Sequence, residues 1–132
     1  MNEDYKIEIV NPEKFFLQNE DVSEVVIPAF EGEMGILKDH ISIISFLKPG
    51  IIKILSKSGE EKYYIEDGII EFKNNDLSIL TSLILDLKNI DKSKINEILK
   101  NAETDSKSEQ IDDQKKYLND QKIDVLKSLS IN

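Results

Sequence analysis

Apolar and polar positions alternate over the first part of the chain and then change period. Tyr5, Ile7 and Ile9 alternate with Lys6, Glu8 and Val10 ahead of Asn11-Pro12, and Phe15 to Gln18 form a second run that ends at Asn19-Glu20-Asp21. Both read as half-buried strands. Glu24 to Ile27 make a third run, which Pro28 is expected to stop because proline cannot donate a ladder hydrogen bond. Further strands are expected at Ile41 to Leu47, Ile51 to Leu55, Lys62 to Ile65, Ile69 to Phe72 and Leu77 to Leu80. The connections Lys48-Pro49-Gly50, Ser56 to Glu60, Asp67-Gly68 and Lys73-Asn74-Asn75-Asp76 are rich in turn formers. Short strands punctuated in this way predict an antiparallel β-sandwich or barrel.

Beyond Leu87, glycine, proline and phenylalanine are absent and the apolar spacing becomes helical. Asp91 is placed to cap a helix, with Ile95, Ile98, Leu99 and Ala102 on one face at i, i+3, i+4 and i+7. Glu103 to Ser108 carry no apolar side chain and read as a link to a second helix, on which Ile111, Leu118 and Val125 recur every seven residues, followed by Leu126 and Leu129. That stripe is thin, since Gln114, Gln121 and Ser128 stand where a seam would be apolar. The expected fold is therefore β + α: an antiparallel β-sandwich over residues 1–86, then a two-helix hairpin over 87–132 that needs a partner or the sandwich for its order.

Charge and composition narrow the function. The chain holds 26 acidic and 17 basic residues, a net charge of -9, and every basic residue is lysine. Without a guanidinium fork, specific nucleic-acid recognition is disfavoured. The absence of cysteine removes disulfide scaffolds, thiolate zinc sites and thiol nucleophiles. Residues 1–86 hold 17 acidic groups against 8 lysines, whereas 87–132 hold 9 of each. The excess thus sits on the strand-rich part. The acidic start, Met1-Asn-Glu-Asp, shows neither a secretory nor a transit pattern, and no apolar stretch approaches the ~20 residues of a spanning helix.

Catalytic constellations are scarce. The single histidine, His40, lies beside Asp39 and reads first as a structural or surface hydrogen-bonding group. The carboxylate pairs Glu60-Glu61, Glu66-Asp67 and Asp112-Asp113 fall in polar stretches and read as solvated turns or helix faces. Neither a Walker lysine loop nor a GxGxxG is present. The most informative segment is Pro28 to Gly50. In it Gly32 and Gly35 flank Glu33-Met34, at a spacing that permits a tight exposed loop with the thioether at its tip. Two readings stand: a hairpin with two permissive glycines, or a docking tip for another protein.

At this segment the sequence resembles a known family. Glu31-Gly32-x-x-Gly35-Ile36-Leu37-x-x-His40, followed by Leu47-Lys48-Pro49-Gly50, is similar to the signature of the epsilon subunit of rotary (F-type) ATP synthases, the counterpart of the mitochondrial delta subunit. The resemblance continues through Tyr64-Ile-Glu-Asp-Gly68-Ile-Ile-Glu71 and Asn75-Asp-Leu-Ser-Ile-Leu80 to the final helices, and the order of the motifs makes it specific. Departures occur at Lys38, where the family usually has proline, at Asp67, often glycine, and at Ser82, often aspartate. Some bacterial members carry an Ile/Leu-Asp-x-x-Arg-Ala motif associated with ATP binding. Here Ile90, Asp91 and Lys94 are a weak remnant of it, because lysine loses the planar fork and Ile95 replaces the small alanine.

The resemblance implies a non-catalytic rotor subunit of the central stalk of a proton-translocating ATP synthase, with the gamma subunit and the membrane c ring as partners. It implies no cofactor and no metal. Glu31, Gly32, Glu33, Met34, Gly35 and His40 belong to the region that the resemblance places towards the ring. The C-terminal helices become the adjustable part, able to inhibit ATP hydrolysis by reaching the catalytic alpha/beta head, with Lys115, Lys116, Lys122 and Lys127 as its contacts. The implied location is peripheral, on the cytoplasmic side of a bacterial inner membrane, held through partners. The alternative reading is a free-standing β-sandwich protein-binding module. It accounts for the strands and the charge but not for the ordered motifs.

Overall fold

The computed structural model describes residues 4–12, 16–107 and 112–130. Phe15, Ser108 and Ile111, which the sequence reading assigned to the second run, the link and the stripe, lie outside them. The chain divides into two compact units, Met1–Lys88 and Asn89–Asn132.

The first unit is built from strands. These are β1 (Tyr5–Val10), β2 (Phe16–Ala29), β3 (Gly32–Leu37), β4 (Ile43–Leu47), β5 (Gly50–Ser56), β6 (Gly59–Ile65), β7 (Gly68–Lys73), β8 (Asp76–Leu80) and β9 (Ile84–Asp86). Hydrogen bonding runs β1-β8-β7-β4-β2-β5-β6-β9, with β3 on β2 and a further pairing of β1 with β2. The path from β1 through β8, β7 and β4 thus returns to β2, and the sheet curls over its own core. The pairings are antiparallel except β1 on β8, which is parallel. That one pairing departs from the wholly antiparallel expectation.

β2 departs most from the sequence reading. Two expected strands and the break between them are one strand of 14 residues. Its first half pairs with β1, and its second half pairs with β5 and β3. A register shift between Val22 and Glu24 lets the strand bend from one layer to the other, as β-bulges do. Pro28 does not stop it. The strand runs on to Ala29, and the Pro28 carbonyl still accepts from the Lys48 amide at 3.0 Å. Only the proline N–H is missing, and near a strand end little is lost.

Alternation follows the pleat. Ile7, Ile9, Val25, Ile27, Ile52, Ile54, Ile70, Phe72, Leu77 and Ile79 point inward and are buried. Each such side chain contributes roughly 1.5–3 kcal/mol on leaving water. Tyr5 packs edge-on against Phe72 at 5.3 Å, and its hydroxyl donates to the Ile36 carbonyl at 2.5 Å, tying β1 to β3. Burial holds that hydroxyl well above the ordinary tyrosine pKa. Asn74 and Asn75 both adopt positive φ between β7 and β8, the pattern of a two-residue hairpin.

The second unit holds α1 (Lys92–Ser106) and α2 (Asp113–Ser130), which pack on each other. The Asp91 carboxylate accepts from the Ser93 amide at 2.9 Å and caps α1 as expected, and this hydrogen bond lowers its pKa. Asp112 caps α2 through the Lys115 amide at 2.7 Å. The expected link is overturned over its first part, since Glu103 to Ser106 continue α1. Their polar side chains are compatible with the exposed end of a helix, and Thr104 returns a hydrogen bond to the Lys100 carbonyl. On α2 the buried side chains are Leu126, which the sequence reading placed after the seven-residue series, and Ile123, which it did not name.

Candidate docking surface

The segment singled out in the sequence forms the hairpin of β2 and β3. Phe30 and Glu31 make its turn, and Gly32 follows at φ +130, where a side chain would be strained. Because β3 is a strand, Glu33 and Met34 are not at a loop tip. Glu33 is exposed, whereas Met34 packs against the core. The expectation of an exposed thioether is therefore corrected: the tip is Phe30, 41% exposed. Gly35 is exposed, with the Glu24 carboxylate 3.1 Å from where a Cβ would stand.

His40 is not brought to that turn. It follows the far end of β3, where the amide of Asp39 donates to Asn75 Oδ1 at 2.7 Å and Asn75 Nδ2 donates back to Asp39 at 3.0 Å. His40 Nδ1 donates to the Ile41 carbonyl at 2.8 Å, and its ring meets Phe72 edge-on at 6.0 Å. Glu31, Gly32 and Glu33 thus cluster at one end of β3, while His40 serves structure at the other.

The sheet face outside β1, β8, β7 and β4 is the unexpected feature. Register places Val10 beside Leu80, Leu80 beside Ile69, and Ile69 beside Phe46. All four are exposed, Leu80 at 52% and Phe46 at 62%. The next row across the same strands is Glu8, Ser78, Glu71 and Ile44, and Ile44 is 64% exposed. All of these except Phe46 line a shallow cavity of about 420 Å³. A solvated sheet face is ordinarily polar, and a contiguous apolar one marks an interaction site.

Sequence reasoning missed this face, although it left a signal. Ile9-Val10, Ile43-Ile44, Phe46-Leu47, Ile69-Ile70 and Ile79-Leu80 are adjacent apolar pairs that break strict alternation. Each places one side chain in the core and one outside. Such pairs equally suit a strand covered on both faces, so topology is needed to tell the two apart.

The residues singled out in the tail do not converge on a pocket. Lys115, Lys116 and Lys127 are exposed and Lys122 is half-buried along α2. Around the start of α1, Ile90 is half-buried, Asp91 is engaged as the cap, and Lys94 is exposed with its amide bonded to the Asp91 carbonyl at 3.0 Å. Among the described residues no group of three or more histidine or carboxylate side chains could hold a metal ion. No helix among them is long and apolar enough to cross a membrane.

Comparison with known proteins identifies the family. The family described as ATP synthase, Delta/Epsilon chain, beta-sandwich domain matches residues 4–85. The chain belongs to the ATP synthase delta/epsilon family. It is 73% identical over 130 residues to an ATP synthase epsilon chain of Pelagibacter ubique, covering 98% of this chain and 100% of the relative. It is also 34% identical over 109 residues to the mitochondrial ATP synthase subunit delta of Schizosaccharomyces pombe, covering 81% and 65%. Its fold is shared with a chain in the cryo-EM structure of the Euglena gracilis mitochondrial ATP synthase, OSCP/F1/c-ring, with a TM-score of 0.73 at 22% identity, covering 99% and 81%. A chain in the central stalk/c-ring structure of the Tetrahymena thermophila enzyme gives 0.65 at 13%, covering 95% of each. Within the family, then, the exposed row and the hairpin turn are the positions to examine for contacts.

Proposed function

We propose that this subunit of ATP synthase is a non-catalytic part of the rotor's central stalk, joining the gamma subunit to the c ring of a proton-translocating enzyme. The carrying observation is the exposed row Val10, Leu80, Ile69 and Phe46, set on a sheet whose opposite face is a close-packed isoleucine core. A rotor part must transmit torque without slipping, which calls for a stiff body and a large apolar contact rather than a reactive group. The curled sheet supplies the first and the row supplies the second. Gamma covers the row, and the turn at Phe30, Glu31 and Gly32 meets the ring. The location follows from the partners: peripheral, on the cytoplasmic side of a bacterial inner membrane. The two neighbours of known fold come from mitochondrial ATP synthase structures, one of an OSCP/F1/c-ring assembly and one of a central stalk/c-ring assembly, which supports the reading.

Phe46→Asp and Leu80→Asp test it, because both side chains point to solvent and the fold tolerates their loss. Each should weaken association with gamma on the order of 30-fold, the effect of removing a central apolar anchor. Undiminished co-purification of the double variant with gamma would overturn the assignment of this face. The helices of the second unit are proposed as the part that restrains ATP hydrolysis, with Lys115, Lys116, Lys122 and Lys127 facing the catalytic head.

A further inference from the structure

β4 has an open edge. It pairs along its whole length with β7, but on its other side only Leu47 meets a strand, at Ala29. Among the described residues, Ile43 to Phe46 have no strand on that side. Beside this edge lies a groove of about 560 Å³, whose far bank is the hairpin at Phe30, Glu33 and Met34 and whose near bank carries Ile44 and Phe46.

Exposed strand edges are templates for pairing, and proteins ordinarily guard them with lysine, proline, a bulge or an inward charge. β4 reads Ile-Ile-Ser-Phe-Leu and has none of these; its register with β7 is unbroken. The other strand bordering the groove is better protected. β3 carries two glycines and Glu33, and Lys38 follows it. The place for an added strand is therefore β4.

We propose that the gamma subunit inserts an extended segment bearing lysine or arginine into this groove, where its main chain pairs with Ile43–Phe46 of β4. The proposal rests on the reading of the apolar face as the gamma contact. Ile44 lines both the groove and the cavity on the face, and Phe46 lines the groove and stands beside Ile69 in the exposed row, so a partner covering the face reaches the edge without a gap. The occupant is extended because a helix has already spent its main-chain groups on itself, while the β4 edge demands N–H and C=O partners. It is basic because Glu33 stands exposed on the far bank, with Glu31 at the mouth, and neither joins an ion pair among the described residues. A second copy of this chain would bring the same carboxylates and the same acidic body to the contact, and like charges would meet.

Hydrogen exchange read by mass spectrometry tests this, on the full chain alone and in its purified complex with gamma. The amides of residues 43–47 should exchange roughly tenfold or more slowly in the complex. If gamma co-elutes but that segment exchanges as fast as in the free chain, docking is face-on and strand addition is wrong, while the functional reading survives. If gamma does not co-elute, the functional reading itself fails and this proposal with it. Protection that appears in the chain alone and grows with its concentration would name a second copy as the occupant and overturn the assignment. Glu33→Lys should weaken the complex several-fold without altering the fold, and unchanged affinity would remove the basic segment from the proposal.

Discussion

At the scale of single residues, close approach and hydrogen bonding explain several sequence features. Gly50 is held by Pro28: a Cβ at residue 50 would lie 2.6 Å from the proline Cβ. Gly50→Ala should therefore destabilise the chain by about 1–3 kcal/mol, read as a lower urea midpoint at constant slope. Two of the departures from the family pattern meet each other. The Asp67 carboxylate accepts from the Ser82 hydroxyl at 2.6 Å and from its amide at 3.1 Å, so the unusual pair forms its own turn lock. Beside it the buried Thr81 donates to the Asp67 carbonyl at 2.5 Å, and Asn11 donates to the Thr81 carbonyl at 3.2 Å. Tyr5, Tyr63 and Tyr64 all have pKa values raised, in each case chiefly by burial. Their protonated forms favour the fold, so their contribution is complete below the unfolded value of about 10 and declines as pH rises above it. In an alkaline titration followed at 295 nm, these three should ionise only together with unfolding. A smooth ionisation with native circular dichroism preserved would contradict their burial.

At the scale of elements, the helices show how far pattern alone reaches. The cap at Asp91 and the face of Ile95 and Ala102 were legible, because capping and a four-position spacing are local properties. The end of α1 was not, because Glu103 to Ser106 carry no apolar side chain and a polar helix end looks like a loop. On α2 the sequence reading named Leu126, but the seven-residue series hid Ile123. Ile123 and Leu126 are buried, and Asn119 extends the same side by donating to the Ala102 carbonyl at 2.6 Å. Leu126→Ala should thus cost about 2–4 kcal/mol within the second unit, seen as reduced helix protection in hydrogen exchange. Leu118→Ala, at a half-buried position, should cost less. The strands divide in the same way. Most were legible from alternation, but β3 read as a loop because its two glycines mimic a turn, and β9 was missed because three residues give no period. The candidate site was legible only as a hairpin. Its exposed row depends on which strands become neighbours, and strand order is not a local property of sequence.

At the scale of the whole molecule, core and charge are distributed unevenly. The core cluster runs from Tyr5 to Ile84 and lies entirely within the first unit. The excess of acidic groups lies there too, with 17 against 8 lysines over residues 1–86, while residues 87–132 are balanced. Both properties that the docking reading needs, a rigid apolar face and an acidic surround, are therefore carried without the helices. A chain ending at Lys88 should fold cooperatively and bind gamma within about threefold of the full chain, a difference below ~1 kcal/mol. Its association rate should fall with added salt as steeply as that of the full chain, because the excess of acidic groups over residues 1–86 is retained. On the proposal that the helices restrain hydrolysis, enzyme reassembled with the shortened chain should hydrolyse ATP faster than enzyme with the full chain. Loss of gamma binding on truncation would show that the helices share in docking. Binding without faster hydrolysis would leave docking with the sandwich and take the restraining role away from the helices.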